Sequence, residues 1–273
     1  MSTPRLSVLL PIGRKDRFLR EALSCLAAQT CRDFDVHIIG PPELQNYVAE
    51  EMRIANITVV WKYHCARLPN LAFALNLGFE RSSGEFVARM DSDDLFTEAR
   101  FEAQIGYLLR NSRCVVVGLK TVLIDENGVK ISGHRFPFLP QDKQIRRALR
   151  IRNPICHPSV MFRRTALEKV GGYRYGNTAE DHELFLRLAR DPNIEFANLA
   201  EPEFAYRRYS GQLTDKNRAH QAFCDIAGFM LTEFLRSKHP SLLLGMYRYH
   251  PWVRSLGARI NSRRRAQAAR SGA

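Results

Sequence analysis

Nowhere in its 273 residues does the chain hold the run of ~20 apolar residues that a membrane-crossing helix requires. If the protein works at a membrane, it does so from the surface. Cysteine is sparse and scattered: Cys25, Cys31, Cys65, Cys114, Cys156 and Cys224 form no Cys-x-x-Cys pair. That spacing argues against a zinc site and a disulfide framework, and it fits a reducing cytoplasm. The opening Met-Ser-Thr-Pro-Arg leads straight into a strand-like run, without the features of a secretory leader. Glycine is thin where a phosphate loop would need it, because Pro11-Ile12-Gly13-Arg14-Lys15 offers a single one. Acids are missing altogether from 240–273, which carries Arg248, Arg254, Arg259, Arg263, Arg264, Arg265 and Arg270.

Those seven arginines account for more than half of the net charge of +13. Such a segment is either a solvated tail or a partner surface for an anion such as a membrane, an acidic glycan or nucleic acid. No nucleic-acid recognition module is present, so nucleic acid is not expected as a partner. Leu242 to Leu244, Met246, Tyr247, Tyr249 and Trp252 suit an interfacial segment or a helix packed on the core equally. With 45% hydrophobic and 10% aromatic residues a substantial core is available. The length suits one large domain over 1–214 with a basic helical extension over 215–273.

The periodicity describes an α/β protein. Leu6 to Leu10, Phe34 to Ile39, Ile57 to Trp61, Glu85 to Met90 and Cys114 to Gly118 read as buried strands. Helices fall between them, one with Leu19, Ala22, Leu23 and Leu26 inward, another over Leu71 to Phe79, and a third with Phe101, Ile105 and Leu108 inward. This alternation predicts a mostly parallel sheet flanked by helices. After Lys120 the pattern changes to a hairpin around Asn127-Gly128, a basic helix from Gln141, and a strand from His157 to Phe162. A helix from Arg164 stops at Gly171-Gly172, another starts near Glu180, and helices broken at Pro240 and Pro251 follow Asp215.

Chemistry concentrates where the fourth strand ends. Asp91, Asp93 and Asp94 place three carboxylates within four residues, at the strand end where open α/β sheets bind ligands. Their repulsion asks for a cation, and oxygen ligands suit Mg²⁺ or Mn²⁺ shared with substrate phosphates. The alternative is that Asp93 and Asp94 cap a helix starting near Thr97. A second acidic pair, Glu180-Asp181, follows Thr178 in the form of a capping box, yet a carboxylate at a helix start facing a cleft also suits a general base. His182 is expected at the surface.

Four blocks taken in order resemble the family 2 glycosyltransferases of the GT-A fold. They are Ser7-Val8-Leu9-Leu10-Pro11 with Phe18 to Leu23, then Ala74-Leu75-Asn76 with Gly84 to Asp94, then Asn153 to Arg164, and lastly Val170-Gly171-Gly172-Tyr173 with Glu180 to Leu188. The resemblance implies an inverting transfer from a nucleotide-sugar, a UDP-sugar being favoured, to a glycan or lipid-linked acceptor in cell-surface polysaccharide synthesis. It implies a donor site of Pro11, Ile12, Arg14, Asp91, Ser92 and Asp93, with Mg²⁺ or Mn²⁺ held by Asp93 and Asp91. Asp181 matches the family's general base, and His157 and Glu180 fall on the acceptor side. The cytoplasmic face of the cell membrane is the implied location.

The chain also departs from the family pattern. Ile39-Gly40-Pro41-Pro42 lacks the carboxylate that contacts the donor base in relatives, and Tyr209 stands where many have a metal-binding His. A sugar-phosphate nucleotidyltransferase and a non-catalytic, nucleotide-binding relative of the same fold are the alternative readings.

Overall fold

The structure is a computed structural model that describes residues 4–67, 70–133, 136–174, 178–210 and 219–250. Its centre is a nine-stranded sheet in the order β3-β2-β1-β4-β8-β6-β9-β5, with β7 paired to β6. The first half is parallel: β1 (Leu6–Pro11), β2 (Phe34–Gly40), β3 (Trp61–Cys65) and β4 (Phe86–Arg89). β8 (Met161–Arg163) then runs antiparallel between β4 and β6 (Cys114–Ile124). The long β9 (Glu195–Arg207) lies parallel to β6, and the two-residue β5 (Leu95–Phe96) closes the far edge against it. The sheet is thus mixed, with the mostly parallel α/β half carrying the acidic strand end.

Two apolar layers explain why the central strands are hydrophobic on both faces. Leu6, Val8 and Leu10 of β1 pack with α1 (Leu19–Ala27), α2 (Gln45–Ile54) and α4 (Arg100–Arg110). Leu9 and Val87 face the other layer, with α3 (Leu71–Arg81), α5 (Asp142–Leu149), α6 (Arg164–Val170) and α7 (Glu180–Leu188). Ile226, Phe229 and Met230 of α8 (Ala219–Ser237) and Leu242 of α9 (Ser241–Tyr249) join this second layer. Among the described residues, no helix is long and apolar enough to cross a membrane. The expected break at Pro251, the boundary at 214 and most of the arginine run lie outside the described residues.

Several local expectations need correction. The third strand begins at Trp61, because Ile57 is used to finish α2. Its amide bonds the Met52 carbonyl and the Asn56 amide bonds that of Arg53, with Asn56 left-handed at φ 52°. This is a Schellman closure with Asn in the place of Gly. Helix α2 and strand β9 are additional to the elements expected. His157–Ser159 is a 3₁₀ turn with Pro158 in its first turn, so the following strand starts only at Met161. The hairpin at Asn127-Gly128 is present, formed by β6 and β7 (Lys130–Ile131).

Candidate active site

The end of β4 turns at once into Asp91-Ser92-Asp93-Asp94, and the three carboxylates each offer an oxygen within 4.8 Å of one another. Helix capping does not account for them. Helix α4 starts at Arg100 with Ala99 as its cap and no side-chain capping bond. Two buried arginines offset the repulsion instead. Arg89 grips Asp91 with both guanidinium nitrogens, at 2.7 and 2.6 Å. Arg207, at the end of β9, donates its amide to Asp94 at 2.9 Å and its Nε to the Asp93 carbonyl at 2.8 Å. It also reaches Glu21 of α1 at 2.6 Å.

Even so, the crowded carboxylates still repel one another. Burial, and then the Asp93 and Asp91 charges, raise the Asp94 carboxyl well above the usual carboxylate range. Its Oδ2 is buried without a hydrogen-bond partner. Hard oxygens this close, one of them orphaned, fit a divalent cation. Arg100 lies beneath the turn, fully buried, and donates to the carbonyls of Arg89 and Pro158 at 2.8 and 3.1 Å. Burial brings its guanidinium down to about 9.

The first loop completes this side. Pro11 closes β1 opposite Ile39, and the Ile12 amide bonds the Ile39 carbonyl at 2.8 Å. Exposed Arg14 donates to the Tyr209 hydroxyl at 3.2 Å, while Ser92 donates to Asp16 at 3.2 Å. Burial first, then the neighbouring Asp93 charge, push the Tyr209 phenol up to about 12. The residue that stands for the family's histidine is therefore a neutral hydroxyl beside the trio. At the tip of β2, a Cβ on Gly40 would stand 2.5 Å from the Tyr63 hydroxyl and 2.7 Å from the Ile12 carbonyl. The three strand tips converge there too closely for a side chain.

Across from the trio, Glu180 and Asp181 open α7. Thr178 does not cap this helix: its hydroxyl donates to Asp225 at 2.8 Å, and left-handed Ala179 occupies the cap without a side-chain bond. Asp181 accepts from the Asn153 side chain at 2.7 Å and from the His182 amide at 2.7 Å. His182 is buried rather than exposed, its Nε2 2.6 Å from the Leu149 carbonyl. His157 sits against the second acidic centre. Its Nδ1 lies 3.5 Å from Glu180 and its Nε2 2.8 Å from the Tyr173 hydroxyl. Burial, then the Arg89 charge, lower the imidazole to about 3, and the charges of Asp181 and Asp91 both act on it. The Glu180 side chain is only 13% exposed, and burial raises its carboxyl.

The Gly171-Gly172 stop is a clamp as well as a cap. Asn76 donates to the Tyr173 carbonyl at 2.7 Å and accepts from its amide at 2.9 Å. Gly172 has φ 64°, and a Cβ there would meet Asn76 Oδ1 at 2.6 Å.

The structure therefore gathers Asp91, Ser92, Asp93, Arg14 and Tyr209 on one side, and His157, Glu180 and Asp181 on the other. Sequence reasoning overlooked Arg89, Arg207, Asn153, Tyr173 and Asp16 as site residues. Arg89 alone carried a signal, as the single charge inside the apolar run Phe86 to Met90.

Comparison with known proteins agrees. The profile of Glycosyl transferase family 2 matches residues 7–171. The O-antigen biosynthesis glycosyltransferase WbnJ of Escherichia coli is 30% identical over 242 residues, covering 85% of this chain and 90% of its own. An Escherichia coli UDP-Gal:alpha-D-GlcNAc-diphosphoundecaprenol beta-1,3-galactosyltransferase is 30% identical over 201 residues, 68% of each chain. Among solved structures, S. aureus TarS with UDP-GlcNAc superposes with a TM-score of 0.70 at 15% identity, covering 93% of this chain and 74% of that one. The Pyrobaculum calidifontis mannosyltransferase PcManGT with GDP-Man and Mn²⁺ gives 0.62 at 16% identity, covering 96% and 75%. Ordered sequence blocks, sheet and acidic strand end agree with these matches, and the chain belongs to glycosyl transferase family 2, the nucleotide-sugar-dependent glycosyltransferases.

Proposed function

We propose that the 1–214 region transfers a sugar, with inversion, from a nucleoside-diphosphate donor to a lipid-linked or glycan acceptor in surface polysaccharide synthesis. The observation that carries this reading is a crowded carboxylate trio and a second acidic centre near enough that the Asp91 and Asp181 charges both act on His157. The names of the O-antigen and diphosphoundecaprenol relatives support the pathway class and the acceptor, and UDP-sugars in two of the matched proteins favour a uridine donor. The arginine-rich tail suits work at the inner face of the membrane.

In the reaction, the acceptor hydroxyl oxygen bonds to the anomeric carbon as the bond from that carbon to the diphosphate oxygen breaks. Asp181 accepts the hydroxyl proton. Asn153 holds one oxygen of Asp181 and so fixes the carboxylate's orientation. Neutral His157 adds no charge beside the acceptor, and burial raises the Glu180 carboxyl next to it. A divalent ion, Mg²⁺ or Mn²⁺, fits Asp93 and Asp91 with Asp94 behind them, and when bound it neutralises the departing diphosphate. Arg89 fixes Asp91 in place, and Arg14 with Tyr209 frames the phosphate side of the donor site.

Asp181→Asn tests the assignment. It should keep nucleotide binding and lose turnover by a factor of ~10² or more. A fully active variant would leave Asp181 only its structural role at the start of α7.

A further inference from the structure

Along α5 and α9 runs an open groove of about 480 Å³. Its floor is apolar, made by Leu139, Ala148 and Ile151, and its rim carries Arg147, Arg152 and Arg248. Gln144 also lines it, and among the described residues no carboxylate does. The neighbouring cations behave differently. Arg146 is consumed by Asp142 and by the carbonyls of Ala189, Asp191 and Ile194, and Arg150 contacts His239. Among the described residues, the guanidinium groups of Arg147, Arg152 and Arg248 have no hydrogen-bond or ion-pair partner. Three unpaired guanidinium groups around an apolar floor are complementary to an anion that carries a hydrocarbon chain.

The groove is built into the site's own framework. Gly245 lets α9 approach α5 closely, since a Cβ there would stand 2.7 Å from the Arg150 carbonyl. One helical turn later, Arg248 reaches the rim. Arg152 directly precedes Asn153, which holds Asp181, and the last residue of α5, Leu149, accepts from His182 next to Asp181. On α9, Leu244 and Tyr247 are exposed at 56% and 59% beside Arg248, so an apolar surface flanks the arginine rim.

Resting on the glycosyltransferase reading, we infer that this groove binds the diphosphate and first isoprenoid units of a lipid-diphosphate-linked acceptor. The sugar in such an acceptor follows directly on the diphosphate. Anchoring the diphosphate at Arg152 therefore delivers the sugar hydroxyl toward Asp181.

The test is equilibrium binding of farnesyl diphosphate to the full chain in the presence of chelator, where the bare aspartate trio repels the probe. Farnesol is the uncharged control, and phosphatidylglycerol vesicles are a separate arm. The wild type should bind farnesyl diphosphate well above farnesol. Arg147→Gln, Arg152→Gln and Arg248→Gln should each weaken it by roughly tenfold. UDP binding with Mn²⁺ and no chelator, measured on the same protein preparations, should be unchanged and shows that the variants are folded. Equal binding of diphosphate and alcohol, or a triple variant that binds like wild type, overturns the assignment. So does a triple variant that loses vesicles but keeps farnesyl diphosphate, which makes the groove a headgroup site. If UDP binds and farnesyl diphosphate does not, the groove falls while the donor reading stands; lipid binding without nucleotide binding fails the donor reading instead.

Discussion

Replacing Gly172 with Ala should expose how the acceptor side is held together. Gly172 sits at φ 64°, where an alanine costs about 1 kcal/mol. Its new Cβ would also stand 2.6 Å from Asn76 Oδ1, so the amide must move. Moving it breaks two bonds, to the carbonyl and the amide of Tyr173, at about 1 kcal/mol each. The total is about 3 kcal/mol, or a fall in Tm of about 6–10 °C for a chain of this size. Asn76→Ala alone removes the same two bonds and should cost about 2 kcal/mol. The double variant has no amide left to displace, so it should cost about 3 kcal/mol rather than the sum of about 5. Thermal unfolding followed by circular dichroism on all four proteins measures the coupling. Because the Tyr173 hydroxyl holds His157, the acceptor KM should rise along with the loss of stability. Additive costs, to within about 0.5 kcal/mol, would refute the clamp.

Three further outcomes follow from the same geometry. Asp93→Asn should abolish the divalent-metal dependence of nucleoside diphosphate binding while leaving the fold intact; transfer that is unaffected by chelator would remove the metal from the reading. His157 is neutral down to about 3 in the fold, whereas the unfolded chain takes up a proton near 6.5. Between those values the unfolded state binds more protons, so stability falls on acidification, by about 2 kcal/mol from pH 7 to pH 5. His157→Gln should flatten this slope in chemical denaturation at the two pH values, and parallel slopes would contradict it. Deleting residues 251–273 removes six of the tail's arginines. At roughly 1 kcal/mol for each arginine near an anionic surface, co-sedimentation with phosphatidylglycerol vesicles should drop sharply, and undiminished binding would rule the tail out as an anchor.

Much of the scaffold was legible because its signals are local. Leu19, Ala22, Leu23 and Leu26 repeat at helical spacing, and the apolar runs of β1, β2 and β4 stop at residues that mark strand ends. β9 was hidden because Glu201, Pro202 and Glu203 interrupt its apolar pattern, and its pairing with β6 shifts register twice. α2 follows Pro41-Pro42, and of its apolar residues only Val48 and Met52 are buried, so it lacked a strong apolar stripe. In the site, the carboxylates announced themselves as a cluster. Apart from Arg89, the groups that hold them did not, because they act across distance in the chain. Asn153 meets Asp181 across 28 positions, and Arg207 meets Asp94 across 113.

Arg207 also bears on how the site comes into being. It is the last residue of the last strand, yet it touches Glu21 in the first helix and the backbone of the acidic turn. During synthesis, β1 to β4 can assemble while the carboxylate trio still lacks this counter-charge. Closure of loops this long is slow, and contacts of high sequence separation form late. A ribosome-bound chain that has completed the acidic turn but not β9 therefore holds an unfinished, self-repelling site. The hydrogen bonds that complete the acidic turn therefore wait on the last strand, 113 positions further along the chain.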